Sequence, residues 1–266
     1  MKPVGVYDPG PQPPDWVRVA TIADIDSDEW FVEARQMSER RGILWVLLLG
    51  YHQSPAEMIG PHAATVRARL ERTGLRPYVI AMSLGEEWYE QWTHGFFTSH
   101  GLPPSAPNGV DVIHHWLGRQ HAAARVELPL PVLWVTTIAN NDRASATTAI
   151  PYRPVPAHTD FVGVDAYVLD GGTFESQPRP ILETAERTVS QPLVLIPQWF
   201  KGTDPDTGFY HGPRVEDAAQ YVAWFCARPR WVAMLGYTWQ NRLPGGYGLA
   251  GMPEIRAAVE RALGVQ

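Results

Sequence analysis

Eight short apolar runs recur along the chain: Val4–Tyr7, Val17–Ile22, Ile43–Leu49, Tyr78–Met82, Val132–Ile138, Phe161–Tyr167, Leu193–Ile196 and Trp231–Tyr237. Most are continuous rather than alternating, so both faces of each strand must be buried, as in a parallel sheet covered by helices. Helical patterns fall between many of them, over Asp28–Arg41, Ser54–Thr73, Asn108–Arg125, Pro180–Ser190, Val215–Ala227 and Pro253–Leu263. The first has an acidic start and a basic end, which suits the helix dipole. The second opens on Ser-Pro and closes on Gly74 as a C′ glycine. Strands alternating with helices build βαβ units, and eight of them in 266 residues predict an α/β fold, a (β/α)8 TIM barrel. With no linker or repeat to divide the chain, a single domain over 1–266 is expected. A doubly wound open sheet is the competing arrangement, but no Gly-x-Gly-x-x-Gly follows a strand to support a dinucleotide site.

Composition narrows the partners. There are 22 Lys+Arg against 28 Asp+Glu, a formal charge of −6, which argues against a nucleic-acid surface and an anionic membrane. No apolar run approaches the ~20 residues that span a bilayer. Met1–Tyr7 has no signal-peptide core, which leaves three settings open: the chain is cytosolic, a leader was removed, or export takes another route. The single Cys226 excludes an internal disulfide and is expected to be a buried, inert thiol. The nine histidines form no His-Glu-x-x-His, and His114, His115 and His121 read as ordinary helix residues. No metal or cofactor is expected, and a monomer or weak homo-oligomer is.

In a barrel the chemistry sits at the C-terminal ends of the strands. The residues there are Asp8; Asp24; Tyr51 and His52; Glu86, Glu87 and Trp88; Asn140, Asn141 and Asp142; Asp165 and Tyr167; Gln198 and Trp199; Trp239 and Gln240. The set is acidic, amide-bearing and aromatic, and nearly free of Lys and Arg, which argues against a phosphate substrate. The chain holds 11 Trp, 10 Tyr and 8 Phe. Sugar rings stack their apolar C–H faces on aromatic rings, while their hydroxyls need Asp, Asn, Gln and His partners. Such a cleft suits carbohydrate. Trp45 and Trp134 lie inside strands and are expected in the core.

The segment Val79–Tyr89 is the most informative: an apolar strand ends in Glu86-Glu87 and then Trp88-Tyr89. Glycoside hydrolysis uses two carboxyl groups, one as acid and one as base or nucleophile. Adjacent residues at a strand end point in different directions, so Glu86 and Glu87 are not themselves the flanking pair. One serves as the acid, and the other orients it or binds a hydroxyl. An acidic first helical turn is the structural alternative.

Strand 4 ending in Glu resembles the clan A glycoside hydrolases, a large (β/α)8 superfamily. The resemblance implies Glu87 as the acid/base, with Glu86 where that clan has Asn. Phe161–Tyr167 resembles strand 6, whose Tyr orients the nucleophile, and Trp231–Trp239 resembles strand 8, whose Trp floors the sugar site. The departure is strand 7, where Gln198 stands in place of the nucleophilic Glu. Three accounts of Gln198 follow: a natural Gln with its second carboxylate at Asp165, Asp8 or Glu86; a Glu-to-Gln variant that traps substrate; or a catalytically silent sugar-binding barrel.

The first account is preferred. The expected function is a glycoside hydrolase on an oligo- or polysaccharide, endo-acting because the long aromatic loops suit a polymer lying across a groove. Glu87, Glu86, Asp165 and Gln198 form the candidate catalytic set. Asp8, Tyr51, His52, Trp88, Asn140, Asn141, Tyr167, Trp199 and Trp239 are the candidate substrate-binding residues.

Overall fold

The computed structural model describes residues 2–23, 25–49, 59–84, 109–137, 155–168, 172–201, 213–237 and 247–265. The strands are β1 (Val4–Val6), β2 (Val19–Ile22), β3 (Leu44–Leu48), β4 (Val79–Ser83), β5 (Leu133–Thr137), β6 (Phe161–Ala166), β7 (Leu193–Pro197), β8 (Phe200–Lys201), β9 (Trp231–Gly236) and β10 (Tyr247–Gly248). The helices among the described residues are α1 (Asp28–Arg41), α2 (Gly60–Thr73), α3 (Gly109–Glu127), α4 (Pro178–Thr188), α5 (Val215–Ala227) and α6 (Pro253–Leu263). The strands β1 to β7 and β9 are the eight apolar runs of the sequence, and the fold is a (β/α)8 barrel. The chain divides into two compact units, one made of 1–21 with 163–266 and the other of 22–162.

In the first unit the strands run in the order β2-β1-β9-β7-β6. The pairing is parallel, with Val4, Gly5 and Val6 opposite Met234, Leu235 and Gly236, and Leu195 opposite Met234. The β7–β9 register slips by one residue: Leu193 faces Trp231 but Val194 faces Ala233. A Pro-rich stretch rather than a helix joins β1 to β2, and its Trp16 side chain donates to Glu260 on α6 at 3.2 Å. The short β8 and β10 pair antiparallel, Phe200 opposite Gly248. Every residue of β1, β2 and β7 is buried, as two-sided coverage requires. Trp199, Trp231, Tyr221, Phe174 and Phe225 form the bulk of this unit's core. Each such side chain contributes about 1.5–3 kcal/mol by leaving water.

The second unit holds β3, β4 and β5 with α1, α2 and α3. β3 and β4 are parallel, and Met82 bridges to Val132 at the start of β5. Here too the register slips once, between Trp45 opposite Val79 and Val46 opposite Ala81. The skipped residue, Ile80, is left 38% exposed. Trp45 and Trp134 are buried in this unit's core, and the Trp45 indole donates to Ser38 Oγ at 2.8 Å.

Local chemistry explains the helix ends. Ser27 caps α1 by accepting from Trp30 N at 3.1 Å, Asp28 and Glu29 occupy its first turn, and Gly42 closes it at φ 69°. Gly74 closes α2 in the same left-handed conformation, at φ 72°. α4 starts two residues before the predicted Pro180, because Pro178 already supplies the fixed φ of a first helical turn. The Ser54-Pro55 start expected for α2 lies outside the described residues; α2 is described from Gly60, with Pro61 in its first turn. Cys226 is exposed, not buried. α5 turns Tyr221, Val222, Trp224 and Phe225 inward, which leaves position 226 on the outer face.

Candidate active site

In the first unit, residues just past the ends of β1, β9 and β7 stay knitted together by backbone bonds. Tyr7 N donates to Gly236 O at 3.0 Å, Tyr237 N to Pro197 O at 3.1 Å, and Trp199 N to Tyr237 O at 2.7 Å. Gln198 lies opposite Tyr237 in an isolated parallel bridge. This extra pairing fixes which residues the strand ends present at the face where such barrels place their sites.

Four rings form a chain there. Tyr7 and Tyr237 meet at 5.3 Å, Tyr237 and Phe200 at 5.5 Å, and Phe200 and Tyr167 at 5.4 Å, all edge to face. Such contacts are worth about 0.5–1.5 kcal/mol each beyond area burial. Tyr7 and Phe200 are buried, while Tyr167 and Tyr237 are half-buried. Phe200 is held by its β8–β10 pairing with Gly248.

The polar members differ in setting. Asp165 sits on β6 and is 3% exposed. Asp8, one residue past Tyr7, adopts φ 47°, and its N–H donates to Thr21 Oγ1 at 3.2 Å. A left-handed non-glycine residue costs about 1–2 kcal/mol, and Asp is among the residues that tolerate it. Gln198 is fully buried. Its Oε1 accepts from Val168 N at 3.0 Å, and its Nε2 faces the Phe200 carbonyl at 3.5 Å.

Asp8, Asp165, Tyr167 and Gln198 thus fall in one unit at strand ends, as the sequence predicts. Trp199 does not serve as a sugar platform. It is fully buried, lies edge to face with Trp16 at 5.9 Å, and fills the space over Gly236, where a Cβ would overlap its ring. Successive residues of an extended chain point to opposite faces, so Trp199 turns away from the side that Gln198 and Phe200 share. Tyr51, His52, Glu86, Glu87, Trp88, Asn140, Asn141 and Trp239 lie outside the described residues. Sequence reasoning did not single out Tyr7, Phe200 and Tyr237, which build this ring chain. The available signal was an aromatic residue directly following β1 and β9.

His121 of α3 is a core histidine of the second unit. It is fully buried, its Nδ1 donates to Ala157 O at 3.2 Å, and its ring meets Trp134 edge to face. Burial pushes its pKa down to about 4 from 6.5, against the Ala157 hydrogen bond, so the ring is neutral near pH 7. Among the described residues no group of three or more His, Cys, Asp or Glu is placed to hold a metal ion. No described helix is long and apolar enough to cross a membrane.

Fold and strand-end chemistry together define a (β/α)8 barrel with acidic, amide and aromatic groups at the C-terminal ends of its strands. Solved structures that share this fold include glycoside hydrolases. A GH113 β-1,4-mannanase aligns at TM-score 0.51 and 12% identity, over 93% of this chain and 88% of that one. The GH113 β-mannanase AaManA from Alicyclobacillus acidocaldarius, in complex with ManMIm, aligns at TM-score 0.51 and 13% identity over 100% and 97%. The catalytic domain of the Bacillus sp. JAMB-750 GH26 endo-β-1,4-mannanase aligns at TM-score 0.52 and 11% identity over 96% and 85%. At these identities the likeness is one of fold. No protein-family model matches the sequence, and no curated protein matches it.

Proposed function

We propose that the protein is a glycoside hydrolase that cleaves an oligo- or polysaccharide by endo-action, with residues 1–266 working as one catalytic domain. One observation carries this reading. The strand ends that bear sites in this fold hold the carboxylates Asp8 and Asp165 together with the linked rings Tyr7, Tyr237, Phe200 and Tyr167. The mannanase neighbours support the same chemistry by analogy of fold.

In this reading Glu87 gives its proton to the glycosidic oxygen as the bond to the anomeric carbon breaks, and the electron pair leaves with the departing alcohol. Asp165 is the second carboxylate. It either takes a proton from an attacking water or forms a glycosyl ester that water then hydrolyses. A carboxylate seated on a strand is held more rigidly than one on a loop, which favours Asp165 over Asp8. Tyr167, Asp8, Tyr51, His52, Asn140 and Asn141 bind hydroxyls, and Trp88 and Trp239 stack on sugar rings.

The test is reducing-end release from mannan, glucomannan, xylan and cellulose by the parent, Glu87→Gln and Asp165→Asn. The parent is expected to cleave at least one of them. Both variants are expected to lose about 100-fold or more in kcat while remaining folded, the size of a general acid–base contribution. Full activity in folded Glu87→Gln refutes its role. Saturable binding without cleavage by the parent selects the silent sugar-binding barrel instead, the reading that Gln198 at the strand-7 position favours.

A further inference from the structure

We propose that Gln198 is a positioning residue. Its carboxamide ties the end of β6 to the end of β7, and so holds Tyr167 and Tyr237 against Phe200 as a cradle for one sugar ring of the substrate. The proposal rests on the carbohydrate reading above and assigns Gln198 a task other than that of a displaced nucleophile.

The first support is the match between the amide and two of its partners. Val168 offers an N–H and Phe200 offers a carbonyl, one donor and one acceptor, 3.0 and 3.5 Å from the Gln198 side chain. A carboxamide carries an acceptor oxygen and a donor NH2 group at its tip, and here each faces a complementary group. A carboxylate has only acceptors. It would keep the Val168 bond but set its second oxygen against the Phe200 carbonyl, in a site with no solvent exposure. The geometry therefore gives a reason for Gln rather than Glu at this place.

The second support is what the clamp spans. Val168 directly follows Tyr167, and Phe200 carries the ring that both tyrosines abut. Tyr167 and Tyr237 stand nearly perpendicular to that ring, at 85° and 86°. Phe200 is buried between them while each tyrosine keeps exposed surface. On the outer side Phe200 is braced by Gly248, and the backbone at Tyr237 is braced by Pro197 and Trp199. The tie from Gln198 to Val168 joins Tyr167's neighbour to this braced group. Two half-exposed phenol rings against a buried phenyl ring offer apolar surface for sugar C–H groups.

The experiment compares the parent with Gln198→Leu, Gln198→Glu and Tyr237→Ala in three readouts. These are amide hydrogen exchange at Val168, mannohexaose affinity by intrinsic fluorescence, and KM against kcat on the best polysaccharide of the panel. Gln198→Leu should lose Val168 protection and weaken mannohexaose binding about tenfold, with KM rising more than kcat falls. Tyr237→Ala should weaken binding by a similar factor while Val168 stays protected. Gln198→Glu should recover much of the binding at acid pH. There the buried acid is protonated and supplies both an acceptor and a donor, and the recovery should fade as pH rises and the acid ionises. Parent-like exchange and affinity in Gln198→Leu overturn the clamp. A many-fold gain of turnover in Gln198→Glu overturns it in favour of a disabled nucleophile. Mannohexaose binding without turnover in the parent, with the same variant pattern, defeats the hydrolase reading but sustains the clamp. Absence of oligosaccharide binding in the parent defeats the cradle.

Discussion

The first unit contains two aromatic clusters, each with a buried polar residue, and they are built for different ends. In the helix layer Phe174 meets Tyr221 at 4.9 Å and Trp224 at 6.1 Å, and the guanidinium of Arg228 lies 4.0 Å over the Trp224 ring. The polar residue there is Asp217. Its Oδ1 accepts from Phe174 N at 2.8 Å and from Arg214 Nη2 at 2.9 Å, and its Oδ2 from Arg214 Nε at 2.7 Å. Tyr221 is fully buried, and its hydroxyl donates to the Ala166 carbonyl. At the strand ends, by contrast, Tyr167 and Tyr237 remain partly open to solvent, and Gln198 accepts from the backbone N–H of Val168. A cluster whose rings are buried and whose charge is paired can only stabilise. One that keeps two phenol rings half-exposed over a braced floor has surface left for a ligand.

The comparison breaks most visibly at Asp217. Asp217→Ala leaves the buried Phe174 N–H without its acceptor and Arg214 without its carboxylate, at an expected cost of about 3 kcal/mol. Urea unfolding should show this as a lower midpoint, while activity per folded molecule stays at the parent level. Altered activity without lost stability would dissolve the distinction between the clusters. The pH dependence adds a check. Burial alone would raise the Asp217 pKa, but the Arg214 hydrogen bonds, the Phe174 N–H and the Arg214 charge hold it below its usual value. A depressed carboxylate contributes stability above its unfolded pKa and loses it as pH falls through the folded one. The gap between parent and variant should therefore be constant from pH 7 to about 5 and close below about pH 4.

At the strand-end cluster the corresponding change is Gly236→Ala. The new Cβ would enter the Trp199 ring, whose indole also meets Trp16 edge to face. Overpacking of this kind costs about 2 kcal/mol, with backbone movement at the strand end. Because Gly236 O accepts from Tyr7 N and Tyr237 follows directly, the shift should also disturb the ring chain. Gly236→Ala is thus expected to lower both the urea midpoint and sugar affinity, whereas Asp217→Ala lowers only the first. Undiminished sugar affinity in folded Gly236→Ala would show that the ring chain does not depend on this packing.

The two clusters also differ in how far the sequence reveals them. The boundaries of α1, α5 and α6 follow from local signals: Ser27 before an acidic turn, and Pro253 at the start of a helix closed by Gly264. The eight strands follow from continuous apolar runs, and Asp165 and Tyr167 from their place at the end of one. What sequence reasoning could not supply was partnership across the chain. Gln198 finds its acceptor role at Val168, thirty positions away, and Trp199 its burial over Gly236. Trp199 is expected to face a ligand and is buried instead, because position past a strand does not say which face a side chain takes. Cys226 was misread for a related reason: an apolar neighbourhood in sequence says nothing of helical phase, and α5 turns that position outward.

The finest test of the comparison is a single oxygen in each cluster. Tyr221→Phe removes the hydroxyl that donates to the Ala166 carbonyl and leaves that buried acceptor short of one bond, at an expected cost of about 1 kcal/mol. Burial, and then the nearby Asp217 charge, push the Tyr221 pKa well above 10. A group whose pKa is raised on folding contributes stability below its unfolded pKa and loses it as pH climbs beyond that value. The parent should therefore weaken above about pH 10 more steeply than Tyr221→Phe, because only the parent carries a phenol that ionises on unfolding there. Tyr237→Phe should instead act on sugar affinity, with a smaller loss of stability than Tyr221→Phe because its ring is half-exposed. Equal stability losses in the two variants would mean that the half-exposed phenol is as much a structural group as the buried one, and the division of labour between the clusters would fail at its smallest unit.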